Sequence, residues 1–184
     1  MPDLRIAYTG EGPVHARCEA ILRQLKVEYS PFEGDIPPCD LALSVHARRL
    51  FTEADLKIPR IGILNLHNSY LPWNRGADAC TWAIVDKTPH GVTVHWVDKG
   101  IDTGPIFTQA PLEILPGETA DQLYKRTADL EVDAFRECVQ LIKQGTFARA
   151  PQGTKGSFHK KADIHRLINA LTTRDLEVVW RKKG

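Results

Sequence analysis

The chain has 184 residues with a formal net charge of +1, and 42% of the residues are hydrophobic and 26% charged. This length suits one domain with a small C-terminal appendage, and the apolar content is enough for a sizeable core. The balanced charge argues against the basic face that nucleic-acid binding needs, and no apolar run is long enough to span a membrane. We therefore expect neither a nucleic-acid partner nor a membrane.

Cysteine spacing and the N-terminal residues favour an intracellular protein. The four cysteines are far apart and form no C-x-x-C pair, which argues against a zinc site and against a disulfide scaffold. We expect reduced, buried thiols at Cys18, Cys39, Cys80 and Cys138. No basic segment followed by a long apolar run opens the chain, so we predict no signal peptide and a cytoplasmic location.

The first third of the chain alternates short β-like runs with one helical segment. Between Pro13 and Leu25 the apolar residues recur at helical spacing, which predicts a helix with one buried face. The turn before it has Gly10 and Gly12 but lacks the third glycine of a dinucleotide fingerprint and the lysine of a P-loop. We interpret it as a tight turn, and a phosphate-binding loop stays open. Strands predicted at 4–8, 27–32, 41–45 and 62–67, with a helical turn at 52–56, imply a parallel sheet.

The second half of the chain predicts a hairpin followed by a long amphipathic helix. Residues 92–97 alternate with period two, and a further strand is predicted at 105–110 after a glycine-rich polar turn. These two strands are predicted to form a hairpin with Asp102 at its bend. Thr119 and Gln122 fit a capping box at the start of the long helix. Shorter helices are predicted at 77–85 and 164–171.

Polar residues at the end of the buried strand 62–67 form the candidate site. Asn65 and His67 come at its carboxyl end, where open α/β sheets place their chemistry. Asparagine supplies an uncharged donor to a developing oxyanion, and histidine changes charge near neutral pH. A carboxylate such as Asp102 beside them would raise the pKa of the histidine and order a water for proton transfer. On spacing alone a purely structural His67 stays open, and His95 is interpreted as a packed strand residue.

Two motifs around these residues resemble the signatures of the folate-dependent formyltransferases. The run N-L-H-N-S-Y-L-P at residues 65–72, followed by Gly76, is similar to that family's N-x-H-x-S-x-L-P…G signature. Residues 91–95 and 98–106 resemble the family's second motif, and the order and spacing of the two motifs also agree. The likeness is close over residues 41–115 and thin elsewhere.

The resemblance implies an α/β architecture, namely a Rossmann-like formyltransferase fold with a mostly parallel sheet that is shortened at the N-terminus. It places a catalytic domain at residues 1–150 and a small extension at 151–184. It also implies N10-formyltetrahydrofolate as the co-substrate, a small-molecule amine as the acceptor and no metal. A homodimer stays open.

Residue by residue, the resemblance assigns catalysis to Asn65, His67 and Asp102. Asn65 and a protonated His67 would stabilise the tetrahedral oxyanion, while Asp102 would keep His67 charged and assist proton transfer through water. The loops at 46–50 and 97–101 would meet the pterin. The cofactor-binding residues predicted in these loops are Arg48, Leu50, Val97, Asp98, Gly100 and Ile101.

The sequence constrains the identity of the amine acceptor less than it constrains the reaction. Residues 71–76 and 157–163 are similar to those of formyltransferases that act on nucleotide-linked amino sugars, which favours a dTDP- or UDP-linked amino-deoxy sugar. Glycinamide ribonucleotide is the alternative, although the turn at residues 10–13 departs from the phosphate loop of its enzymes. Initiator transfer RNA is disfavoured because its enzymes add a basic C-terminal domain, and a formyltetrahydrofolate hydrolase or a non-catalytic folate-binding homologue stays open. The predicted substrate contacts are Trp73, Asn74 and Arg75.

Overall fold

The computed structural model describes residues 4–47 and 49–163. The predicted cofactor contact Arg48 and the predicted helix at 164–171 lie outside the described residues. The described elements follow in this order: β1 (Ile6–Gly10), α1 (Gly12–Gln24), β2 (Tyr29–Pro31), β3 (Leu41–Val45), a 3-10 turn (Asp55–Lys57), β4 (Gly62–His67), β5 (Arg75–Gly76), α2 (Ala79–Asp86), β6 (Gly91–Trp96), β7 (Ile106–Pro111), α3 (Ala120–Lys143) and β8 (Phe158–His159).

A six-stranded sheet in the order β2-β1-β3-β4-β6-β7 forms the centre of the fold. The first four strands pair in parallel, which places β3 between β1 and β4. All five residues of β3 are buried, as a continuous apolar strand between two covered faces requires. The sheet then changes direction, because β6 runs antiparallel to β4, and β7 completes the predicted hairpin. The carboxyl ends of β3 and β4 therefore meet at one edge of the sheet.

Helices α1 and α3 cover one face of this sheet. The apolar residues of α1 that the spacing singled out, among them Cys18 and Leu22, lie in the main core with Phe135 and Cys138 of α3. The predicted capping box begins α3, with the Thr119 side chain accepting from the backbone of Gln122. On the other face, a smaller cluster of buried residues comprises Ala7, Phe32, Ile36, Cys39, Ala42 and Ile63.

The burial of the cysteines and the polarity of the helices are those expected from the amino-acid composition. All four cysteines are buried, as predicted, and their thiols are free. Burial raises the pKa of the Cys138 thiol, so this group stays protonated and behaves as an apolar core residue. Among the helices of the described ranges, none combines the length and the apolar character that crossing a bilayer would require.

A strap, defined here as residues 150–161, crosses the carboxyl edge of the sheet. It begins with an antiparallel bridge between Ala150 and Ile106, and it ends with β8 paired in parallel to β5. Between these points, Ser157 donates its backbone N–H to the carbonyl of Pro72. The strap contains the first part of the predicted C-terminal extension, so this part packs directly on the catalytic region. The domain boundary itself stays a prediction.

The turn between β1 and α1 depends on the absence of a side chain at Gly10. Gly10 has a φ of 155°, and a Cβ atom there would overlap the carbonyl oxygen of Val45. The neighbouring backbone N–H of Glu11 donates to that same oxygen at 3.2 Å. The tight turn therefore fastens the start of α1 to the end of β3.

We expect Gly10→Ala to destabilise the protein by about 2 to 4 kcal/mol, because the new methyl group must displace backbone atoms of β3. The matched control is Gly34→Ala, where a Cβ atom meets nothing within 4 Å. Urea unfolding of both variants measures the difference. Equal unfolding free energies for the two variants would contradict this account of the turn.

Candidate active site

A cavity of about 800 Å³ opens at the carboxyl ends of β3 and β4. Its volume is in the range of sites that hold small molecules and cofactors. The structure brings Asn65, His67 and Asp102 together in its wall, although Asp102 follows the other two by more than thirty residues. The loop between β6 and β7 carries Asp102 back across the end of β4.

Asn65 is oriented by His95, which lies opposite it on β6. The Nδ1 atom of His95 is 3.0 Å from the carbonyl oxygen of Trp96 and must donate its proton there. Its Nε2 atom can then accept from the Asn65 amide, whose Nδ2 atom lies 3.3 Å away. One amide N–H remains for a ligand. His95 is buried, as the sequence interpretation of a packed strand residue implies, and it also positions Asn65. The sequence signal for this second role was the alternating strand at residues 92–97, which carries His95.

His67 is buried at the end of β4 with its ring constrained by backbone. Its Nε2 atom lies 3.2 Å from the carbonyl oxygen of Asn74, so this nitrogen carries a proton and donates it. Burial lowers the pKa of His67 below its ordinary value of 6.5, and the nearby Asp102 carboxylate only opposes this effect. Desolvation therefore outweighs the ion pair and favours a neutral His67, whereas the resemblance implied that Asp102 keeps it charged.

Asp102 is held at the bend between β6 and β7 in the left-handed region, with a φ of 53°. Its Oδ2 atom accepts from the backbone N–H of Gly76 at 2.8 Å and lies 3.6 Å from Nε2 of His67. Burial raises the pKa of this carboxyl, but the neighbouring His67 and His95 and the N–H of Gly76 together lower it below its usual range. Asp102 is therefore ionised at neutral pH.

Both predicted pterin loops line the cavity. Leu50, which is 73% exposed, belongs to the first loop, and Val97 begins the second with its N–H bonded to the carbonyl of Ile63. Within the second loop, the Asp98 carboxylate accepts from the N–H of Gly100 and thus braces the turn. The predicted cofactor residues that line the cavity are Leu50, Val97, Asp98, Gly100 and Ile101.

The predicted substrate contacts Trp73, Asn74 and Arg75 do not line this cavity. Asn74 is completely buried, and its side chain bonds to the hydroxyl groups of Thr88 and Ser157. The Arg75 guanidinium donates to the Gln152 side chain of the strap. Internal hydrogen bonds thus hold the Asn74 side chain and part of the Arg75 guanidinium, and substrate contact by these residues stays a prediction.

The strap supplies side chains to the cavity instead. Gly76 accommodates it with a φ of 91°, since a Cβ atom at this position would overlap the carbonyl oxygen of His159. The His159 ring stacks on Trp82 with ring centroids 4.0 Å apart. This packing brings Phe158, Lys160 and Lys161 to the cavity wall, and the two lysines are exposed. Within residues 4–47 and 49–163, no three His, Cys, Asp or Glu side chains are arranged so that they could hold a metal ion.

The chain matches the family described as formyl transferase over residues 36–139, which is more than half of its length. It therefore belongs to this family. Methionyl-tRNA formyltransferase of Elusimicrobium minutum is 34% identical over 125 residues, which cover 67% of this chain and 37% of that protein. The chain thus spans less than half the length of that curated relative. The dTDP-4-amino-4,6-dideoxyglucose formyltransferase of Mycobacterium bovis is 28% identical over 165 residues, covering 90% of this chain and 66% of that protein.

Solved structures with the same fold include two whose chains are covered almost completely. The formyltransferase PseJ from Anoxybacillus kamchatkensis was solved with UDP-4,6-dideoxy-4-formamido-L-AltNAc and tetrahydrofolate; it has a TM-score of 0.80, 28% identity and 92% coverage of both chains. Rv3404c from Mycobacterium tuberculosis gives a TM-score of 0.82 at 22% identity, with 98% of this chain and 89% of that chain covered. The predicted α/β formyltransferase fold is thereby confirmed.

We expect the pKa of His67 to lie below 6.5 and to fall further in Asp102→Asn, because the variant removes the carboxylate that favours the charged imidazole. Histidine ring resonances followed by NMR over a pH series measure both values. The control is Asp86→Asn, which removes the carboxylate 3.2 Å from His159 and should leave the pKa of His67 unchanged. A higher pKa of His67 in Asp102→Asn would contradict the assigned electrostatics.

Proposed function

We propose that this protein transfers the formyl group of N10-formyltetrahydrofolate to a primary amine. The observation that carries the proposal is the convergence of Asn65, His67 and Asp102 on one cavity, in a chain of the formyl transferase family. None of the three is a nucleophile, so the site suits direct attack by the amine of the acceptor on the formyl carbon.

Attack of the amine produces a tetrahedral species with a negative oxygen and a positive nitrogen. The Asn65 amide N–H that His95 leaves available donates to this oxygen. Because an amide does not titrate in the working pH range, Asn65 supplies this stabilisation without a change of protonation. Its fixed orientation also limits the reorganisation needed as charge develops on the oxygen.

The positive nitrogen must lose a proton before the carbon–nitrogen bond to the folate breaks. Neutral His67, whose Nε2 already carries a proton, can accept another on Nδ1, directly or through water. The ionised Asp102 carboxylate, 3.6 Å from Nε2, then stabilises the imidazolium. The proton returns to the N10 nitrogen of the departing tetrahydrofolate. In this account His67 alternates between two charge states, and Asp102 retains its charge throughout.

We propose a dTDP- or UDP-linked amino-deoxy sugar as the acceptor. PseJ, whose complex contains a UDP-linked sugar, matches 92% of this chain, and the dTDP-sugar enzyme of Mycobacterium bovis matches 90%. Lys160 and Lys161 of the strap line the cavity and offer cations to a diphosphate. Methionyl-tRNA formyl transfer is the second candidate, supported by 34% identity over two thirds of the chain.

The direct test supplies purified protein with N10-formyltetrahydrofolate and a panel of amines. We expect release of tetrahydrofolate only when an amino-sugar nucleotide is present, with a matching gain of one formyl group on the sugar. Release without any amine would favour a formyltetrahydrofolate hydrolase, and formylation of methionyl-tRNA alone would favour the second candidate. Folate binding with no turnover across the panel would favour a non-catalytic homologue.

We expect His67→Asn to lower kcat by at least about a hundredfold, because the variant loses the group that accepts the amine proton. Folate affinity should change little, whereas the unfolding free energy should fall by about 1 to 3 kcal/mol, since the shorter asparagine leaves the Asn74 carbonyl without its donor. Steady-state kinetics with circular dichroism as the folding control provides the measurement. Turnover within a few-fold of wild type would refute the assigned role.

The double variant Lys160→Ala/Lys161→Ala should raise the KM for the nucleotide sugar by about tenfold, because two charge-assisted contacts to phosphate are lost. Its kcat and its KM for the folate should stay near wild type. Lys155→Ala serves as the control, since this lysine is also an exposed residue of the strap but does not line the cavity. An unchanged KM in the double variant would exclude these lysines as phosphate ligands.

A further inference from the structure

Glu131 of α3 is a charged residue in the protein core that the proposed reaction does not use. Its side chain is 0% exposed, and its Oε1 atom lies 2.6 Å from Nε2 of His46. Its Oε2 atom is buried without a hydrogen-bond partner. A buried carboxylate with an unpaired oxygen is costly, and an apolar residue there would pack against the same core without that cost. The position of its partner His46 offers a reason for the presence of Glu131.

His46 is the first residue after β3 and begins the first loop of the cavity. It adopts a φ of 55° in the left-handed region, which an ordinary side chain rarely occupies. Its ring lines the cavity, as do Ala47 and Leu50 further along the loop. The direction in which the chain leaves β3 therefore depends on how the His46 ring is held.

The other end of this loop has an anchor of its own. The Arg49 guanidinium donates to the carbonyl oxygen of Gly34 and pairs with the carboxylate of Asp55 at 2.5 Å. It also lies over the ring of Phe51, 5.3 Å from the ring centroid. The loop thus stretches between two ion pairs, one with α3 and one with the 3-10 turn. Only the His46–Glu131 pair lies in the protein core.

We propose that Glu131 is a positioning residue for the folate: by holding the His46 ring, it fixes the backbone of His46 and Ala47, where the chain leaves β3, in the conformation that receives the pterin. The inference rests on the proposed function, since it takes this cavity to be the folate site. Glu131 acts through His46 and does not touch the reacting atoms.

The charges around His46 give the pair a pH dependence. Burial lowers the pKa of His46, but the hydrogen bond and charge of Glu131 and the charge of Glu11 before α1 raise it, with a net rise above its ordinary value. Two groups of α1 interact with this pair. The pKa of His15 is lowered by burial and by the charge of His46, and the pKa of the Cys18 thiol is raised by burial and by the charge of Glu131. The charged His46–Glu131 pair is therefore present below the raised pKa of His46 and is lost as the pH rises through it.

The experiment measures the dissociation constant of tetrahydrofolate by titration calorimetry between pH 6 and 9. In the wild type, affinity should fall as the pH rises through the pKa of His46. Glu131→Gln should bind tetrahydrofolate about tenfold more weakly at pH 6.5 and should lose most of this pH dependence. The matched control is Asp133→Asn, an exposed carboxylate two residues away on the same helix, which should behave as wild type.

Two further variants separate positioning from general stability. His46→Gln, whose amide can donate to Glu131 at any pH, should retain most of the tetrahydrofolate affinity of the wild type but lose its pH dependence. His46→Leu should resemble Glu131→Gln. In all variants the KM for the acceptor should change much less than that for the folate. Thermal unfolding confirms that each variant is folded at the assay temperature.

The outcomes distinguish this inference from the proposed function. Unchanged tetrahydrofolate affinity in Glu131→Gln and His46→Leu, with normal binding by the wild type, overturns the positioning role and leaves formyl transfer intact. Failure of the wild type to bind tetrahydrofolate overturns both. A Glu131→Gln variant that loses affinity for folate and acceptor equally, with an unchanged pH profile, shows a merely structural carboxylate.

Discussion

The site depends on one buried anion, the carboxylate of Asp102. It is held by a backbone N–H of Gly76 and by two histidines, at 3.6 Å from His67 and 3.4 Å from His95. Removing a charge from water is costly unless neighbouring donors replace the lost solvation. Here the N–H of Gly76 in β5 donates to the carboxylate, and His67 of β4 and His95 of β6 lie beside it. The conformation of the Asp102 bend and the ends of three strands are therefore mutually dependent.

This arrangement explains why His67 and Asp102 have different protonation behaviour although they are neighbours. The backbone N–H of Gly76 stabilises the anion regardless of the charge on any histidine. His67 has a backbone carbonyl at Nε2, which stabilises a proton there but compensates only part of the desolvation of a full positive charge. A base that is neutral before the reaction lies beside an anion that is charged before it, as general base catalysis requires.

The sequence predicted the parts of this structure that local chemistry controls. The apolar run of β3, the Thr119 capping box and the hairpin carrying Asp102 each follow from patterns of a few residues. The prediction that Asp102 lies close to His67 depended on the family resemblance. The burial of Asn74 was not predicted, because it results from hydrogen bonds to Thr88 and to Ser157, which lies 83 positions away. Likewise, nothing local reveals that α3 presents Glu131 to the end of β3.

The strap has a consequence for the order in which the site matures. A chain is synthesised from its N-terminus, and structure forms in that direction as segments emerge. Asn65, His67 and Asp102 all precede the strap, whose Gln152 side chain donates to the backbone carbonyls of Asp102 and Gly104. During biosynthesis the three site residues are therefore available before the wall that encloses them, and the enclosed site forms only when the strap docks.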